Sequence, residues 1–146
     1  MKKAARDQAG SASVEMALLA PALILILFGI VEMGRFAHFS ILVHNAARAG
    51  AQYGAQNLIT AIDAPGMQTA ALNDAQNTTG VTSTATFYCQ CADGTAAACS
   101  ATACSADHRV TYVQVGTQGT FVSLFHYPGL PPSLTIAGSS IMRVSQ

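Results

Sequence analysis

Charge is what this chain has least of. Of its 146 residues 10% are charged, while 51% are hydrophobic, against a usual ~25% charged. Intrinsic disorder, which needs few apolar groups and many charges, is excluded. Neither sign is in surplus: seven Lys/Arg face seven Asp/Glu, for a formal net charge of zero. A polyanion-binding surface needs a basic excess, so nucleic acid is not the expected partner. Catalytic constellations are missing as well. There is no His-Glu-x-x-His, no Gly-x-Ser-x-Gly and no phosphate-binding glycine loop. His38 and His44 are six apart, so they fall on different helix faces, and His108 and His126 lie far from both. Asp107-His108 beside Arg109 reads as a solvated loop end before a ligand or metal site. The expectation is no enzyme, no cofactor and no metal, and no internal repeat is visible.

What the chain does have is a long apolar run. Met16 to Val31 carries no charge, and back to Ser11 only Glu15 interrupts it. Twenty-one residues at 1.5 Å each span about 31 Å, the thickness of the hydrocarbon core of a bilayer. Lys2, Lys3 and Arg6 precede the run, which predicts a cytoplasmic N-terminus and a C-terminal domain on the far side. A secretory signal peptide would end in a small-x-small site, whereas this run exits into Glu32-Met33-Gly34-Arg35-Phe36. A plain anchor explains the length but not Glu15, because a charge deep in a spanning helix costs about 2.5–3.5 kcal/mol on the lenient scale. Such a residue is a functional candidate.

The residues around Glu15 give it a context. A short basic leader ends in Gly10, then come Ser11-Ala12-Ser13-Val14, then Glu15, then the apolar helix. This resembles the processing site of type IV pilins, which a membrane aspartyl prepilin peptidase cuts after Gly. Cleavage would leave Ser11 as the new N-terminus and Glu15 as the fifth mature residue. The ten-residue leader, without an aromatic at Ser11, looks more like the Flp/Tad branch than like general secretion pseudopilins. Ala20-Pro21, Phe28 to Arg35 and Asn45-Ala46-Ala47-Arg48-Ala49-Gly50-Ala51 resemble the TadE-like family of minor pilins over residues 11–51. The ending, Phe125 to Val144, is similar to that family's aromatic-Pro loop and closing apolar strand. Met16 stands where such proteins often have an aromatic, and residues 58–108 carry no family motif.

The helical pattern outlasts the apolar run. Phe36, Phe39, Val43, Ala46, Ala47, Gly50 and Tyr53 recur at helical spacing, predicting one helix from about Ala12 to Asn57. Pro21 removes a backbone bond and is a candidate kink, although membrane helices tolerate proline. Two four-residue ladders of small side chains, Ala46/Gly50/Gly54 and Ala47/Ala51/Ala55, allow close backbone approach, with the chain's own sheet as the expected neighbour over another subunit. Asp63-Ala64-Pro65 opens a short helix over about 64–76. Val81 to Cys91 alternates as a strand, with Ser83, Ala85, Phe87, Cys89 and Cys91 on its buried face. Arg109 to Val115 is a second strand. Thr117 to Pro132 reads as a loop around Phe121, Phe125 and Tyr127, and residues 92–106 as another. Leu134 to Val144 is a third strand, with a candidate bulge at Gly138. The fold class is α+β: a long N-terminal transmembrane-to-amphipathic helix packed on a small antiparallel sheet of about three strands, a pilin-like roll.

Cys89, Cys91, Cys99 and Cys104 fall within sixteen residues, beyond the membrane by this topology. In an oxidising compartment they predict two disulfides. A four-cysteine zinc site fits less well, since the Cys-x-Cys and Cys-x4-Cys spacings differ from paired Cys-x2-Cys knuckles. Cys91–Cys99 nested inside Cys89–Cys104 is the preferred pairing, as a staple of a hairpin connection, and the crossed pairing stands next. A small core makes such staples matter.

These readings divide the chain into a basic leader (1–10), a transmembrane and assembly helix (11–35) and a periplasmic pilin-like domain (36–146). The resemblance implies a minor pilin or pseudopilin of a tight-adherence system, held in the bacterial inner membrane and cut between Gly10 and Ser11. It would assemble with other minor pilins, the major pilin and the inner-membrane platform to initiate or cap a filament. Glu15, and the Glu32/Arg35 pair at i, i+3, are the candidate assembly residues. The alternative is an unprocessed single-pass binding or adhesin module in the same membrane.

Overall fold

The computed structural model describes residues 4–76, 78–100, 104, 108–125, 129 and 131–145, with backbone alone for 4–11. Tyr127, His126, Asp107 and the basic Lys2 and Lys3, all named above, lie outside the described residues. The chain divides into two compact units, Met1–Ala37 and His38–Gln146.

The first unit is helical. It carries the N-terminal part of α1 (Ala4–Gly54), which continues through Pro21. Leu18, Leu25, Ile30 and Met33 are all more than 60% exposed. Apolar residues cover the whole circumference here, so no one face is reserved for a protein core.

The second unit begins inside the same helix and packs it onto a sheet. After α1 come α2 (Leu58–Ile62) and α3 (Ala64–Asp74), then β1 (Thr82–Cys91), β2 (Ala96–Ala97), β3 (Arg109–Val122) and β4 (Ser133–Arg143). The sheet is antiparallel throughout, in the order β2-β1-β3-β4. α1 ends at Gly54 rather than Asn57, because Asn57 starts the next helix. Its side chain accepts hydrogen bonds from the Ile59 and Thr60 amides, and the Thr60 hydroxyl accepts one from the Asn57 amide. Asp63 caps α3 through the Gly66 amide at 3.0 Å, with Pro65 in the first turn, as its sequence predicts.

The core joins Ala51, Ala61, Met67, Ala71, Val113, Val115 and Val144. The small-residue ladder of α1 is what lets the layers meet. A methyl on Gly50 would stand 2.7 Å from the Met67 carbonyl oxygen and 3.0 Å from Val115 Cγ1. Ala46, Ala47 and Ala51 are fully buried. The ladder thus serves the chain's own sheet and α3.

Three sequence expectations need correction. β3 runs to Val122, through the stretch expected to be a loop. Its inward residues Thr117, Gly119 and Phe121 are buried while Gln118, Thr120 and Val122 are exposed. Gly119 is there for space: a methyl on it would lie 2.9 Å from the Phe39 ring. Gly138 is not a bulge, since β4 keeps one register against β3 from Ser133 to Arg143. It is a point of close approach to the α1 backbone: a methyl on Gly138 would lie 3.0 Å from both Val43 O and His44 Cα. The sheet also has four strands, because Ala96 and Ala97 pair with Gln90 and Cys89 in a stretch expected to be loop.

Candidate membrane and assembly segment

The Gly10–Ser11 bond lies in helical backbone. Gly10 weakens the helix there, since glycine holds a helix less well than alanine by roughly 0.8–1.0 kcal/mol. Glu15 is exposed on the same helix, with Val14 and Met16 exposed beside it. In hydrocarbon a carboxylate at that place needs a cationic partner. At the other end of the run, Arg35 Nη1 donates to Glu32 Oε2 at 3.1 Å. Glu32 keeps only 12% of its side chain exposed. The pair thus cancels charge where the helix leaves its most apolar stretch. Ala12–Gly54 is long and apolar enough to cross a membrane.

The second unit carries the remaining polar features. Cys89 joins Cys99 and Cys91 joins Cys104, so the pairing is crossed, not nested. Register is the reason. The β1–β2 pairing sets Cys89 opposite Ala97, and the Cys91 amide bonds the Thr95 carbonyl across a turn at Gly94, whose φ is +89°. Cys99 therefore lies two residues past the position facing Cys89 but four past the position facing Cys91. At about 3.4 Å per residue, only Cys89 is within reach.

Two groups in this unit have displaced acidities. Tyr53 donates its hydroxyl to Asp63 Oδ2 at 2.8 Å, and that hydrogen bond, with the nearby carboxylate charge, raises the Tyr53 pKa above its ordinary value. Asp93 Oδ1 accepts from Thr95 Oγ1 at 2.7 Å and from the Thr95 amide at 2.9 Å. These bonds lower the Asp93 pKa below its ordinary value. Both are turn and cap devices. His44 Nδ1 donates to the Ser40 carbonyl within its own helix, at 2.8 Å. Among the described residues no group of three His, Cys, Asp or Glu is placed to hold a metal.

Sequence reasoning missed Thr117, whose buried hydroxyl donates to the Val43 carbonyl at 2.6 Å. It also missed the tilted contact of Phe39 with Phe121, whose centroids are 5.8 Å apart. The signal was present: Thr117, Gly119 and Phe121 alternate with polar residues at strand period.

A helix long and apolar enough to cross a bilayer, continuing into a disulfide-stapled α+β unit, is consistent with a single-pass membrane anchor. Residues 10–52 match the family model of TadE-like proteins. No curated protein and no solved structure matches the chain.

Proposed function

We propose that this chain is a minor pilin or pseudopilin of a Flp/Tad-type pilus. A prepilin peptidase cuts it between Gly10 and Ser11, and it assembles with partner pilins to initiate or cap the filament, in support of adherence or secretion. The observation that carries this reading is the family match over residues 10–52, which takes in Gly10, Glu15 and the Glu32/Arg35 pair. The N-terminus lies in the cytoplasm and the second unit in the periplasm, where its two disulfides form.

Cleavage frees an amine at Ser11, mostly protonated at pH 7. It stands about a turn from Glu15 on the same helix. Two charges buried in an apolar bundle each cost much alone and far less when paired. Pairing across to the neighbouring subunit rewards correct axial register during assembly. Glu15→Ala then leaves membrane insertion and cleavage intact and weakens co-purification with partner pilins. A Glu15→Ala protein that is processed and retains its partners at the wild-type level removes Glu15 from assembly. Gly10→Phe should remain uncut. N-terminal sequencing that finds Met1 on wild-type protein, from cells with active peptidase, would replace the pilin reading with the unprocessed anchor.

A further inference from the structure

The second unit has two unlike ends. β3 and β4 pair Val122 with Ser133 and Phe121 with Leu134 at one end of their hairpin, and Tyr112 with Arg143 at the other. The charges Arg109 and Arg143, with Asp93 in the turn after β1, gather at the Arg143 end. From Val110 to Met142 the sequence holds no Asp, Glu, Lys or Arg, so the Val122 end carries none of them.

That end exposes large aliphatic side chains instead: Val122 by 60%, Leu124 by 61% and Leu134 by 45%. An apolar cluster of this kind marks a contact with protein or with membrane. Its shape favours membrane. Phe121 is buried beside Phe39, so Val122, the next residue, lies on the sheet face away from α1. Leu134 stands opposite Phe121 and shares its face. Apolar groups thus flank the strand end on both faces. A docked protein covers one face of a sheet, whereas a lipid layer surrounds whatever enters it.

Chain length bounds how far this end stands from lipid, at any angle between the two units. Ser11 to Val31 matches the hydrocarbon thickness by length. Phe39 follows Val31 by eight residues, about 12 Å in the helical backbone of α1. The Phe39 and Phe121 rings are 5.8 Å apart, and Leu124 is three residues past Phe121, about 10 Å of chain at most. Leu124 therefore stays within about 30 Å of the end of the apolar run. Arg109 lies twelve residues along β3 from Phe121, about 40 Å away, so the charged end is not tethered in this way. A short tether keeps the local concentration of the two surfaces high, and a small apolar contact is then enough to hold them.

We infer that the Val122–Leu134 end of the β3–β4 hairpin docks in the headgroup layer of the bilayer that holds α1, through Val122, Leu124 and Leu134. The inference rests on the reading of α1 as a membrane span and not on peptidase cleavage.

The test uses the full chain in vesicles of phosphatidylethanolamine and phosphatidylglycerol, at a lipid excess that keeps copies apart. The chain has no tryptophan, so one substitution installs a single reporter. Leu124→Trp reports the hairpin end. Ile59→Trp reports the opposite end, where Ile59 is exposed on α2 and the preceding Gly54 packs by Val113. Leu23→Trp reports the apolar run. A nitroxide on the lipid headgroup quenches an indole near that layer, and one on the acyl chain quenches an indole in hydrocarbon. Headgroup quenching of the Leu124→Trp protein should exceed that of the Ile59→Trp protein about threefold. Adding Val122→Asp should abolish the excess, because a carboxylate resists leaving water. Leu134→Trp takes the place of Leu124→Trp if the latter alters the disulfide map. Equal quenching at the two ends overturns the inference, as does an excess that survives Val122→Asp. So does a blue-shifted but unquenched emission from the Leu124→Trp protein, the signature of a protein cover. If the acyl-chain nitroxide quenches the Leu23→Trp protein while the hairpin end stays unquenched, the docking alone is wrong. If it leaves the Leu23→Trp protein unquenched, the membrane span is wrong and the docking falls with it.

Discussion

One helix, α1, is built in two ways. Before Ala37 its large aliphatic side chains point outward all round, with Leu18 75% exposed. After His38 the buried positions are Val43, Ala46, Ala47, Gly50, Ala51 and Gly54. The secondary structure is the same, and what packs against it differs. The first part has no protein core of its own and gains by transfer to lipid or to other apolar helices, at roughly 25 cal/mol per Å² of apolar surface removed from water. The second part already has its neighbour, so its side chains shrink until the backbone touches α3 and β3. Helical apolarity by itself therefore does not say what covers a helix; side-chain size does.

The largest effect that separates the two regions should come from the cysteines. Removing Cys89–Cys99 by a double alanine substitution opens a loop with a sequence separation of 10 residues, and chain entropy puts its contribution at about 3 kcal/mol. Denaturant unfolding of the second unit should show that loss, while membrane insertion of the first part stays normal. Equal stability of the two forms would mean that the core needs no staple.

Glycine substitutions sharpen the contrast within the helix. Gly50→Val meets the Met67 carbonyl oxygen, a backbone atom that has little room to move. It should destabilise the second unit by about 1–3 kcal/mol. Gly29→Ala and Gly34→Ala meet nothing within 4 Å and should leave the second unit's unfolding curve unchanged. If Gly50→Val is neutral, the close approach of α1 to α3 is wrong.

Thr117→Val keeps the shape and deletes the hydroxyl that bonds Val43 O. A loss of about 1 kcal/mol is expected, read from the urea midpoint at an unchanged slope. A wild-type midpoint would show that this buried bond adds nothing to the helix–sheet contact.

The smallest effects are those of pH. Asp93 has its pKa lowered by its bonds to Thr95, so its contribution is present above its unfolded value and is lost as pH falls through the lower folded one. Asp93→Asn should flatten the acid limb of the stability curve. Tyr53 has its pKa raised by Asp63. Its contribution is full below pH ~10 and lost as pH rises through the folded value, and Tyr53→Phe should remove that alkaline limb. Neither substitution should alter membrane insertion.

Much of the molecule is legible in its sequence. The apolar run, the basic residues ahead of it, the odd position of Glu15 and the cap at Asp63 are local patterns, whereas Phe87, expected on the buried face of β1, is exposed. Periodicity and charge report the local patterns directly. The glycines mislead where they punctuate a strand. Gly119 and Gly138 read as loop or bulge signals, yet each stands where α1 crosses the sheet. Nothing in the neighbouring sequence reveals a helix that lies far earlier in the chain, at Phe39 for Gly119 and at Val43 and His44 for Gly138.

By itself, then, the sequence determined that an apolar helix begins this chain, that small residues line its continuation and that four cysteines staple the C-terminal part. Each of these depends on composition and spacing within a few turns. Only the tertiary structure decided the crossed disulfides, the long β3, the burial of Thr117 and the strand order of the sheet. Cysteine partners follow from strand register, and an edge is open only once the strand order is known. Both are relations between segments distant in sequence, and no local period encodes them.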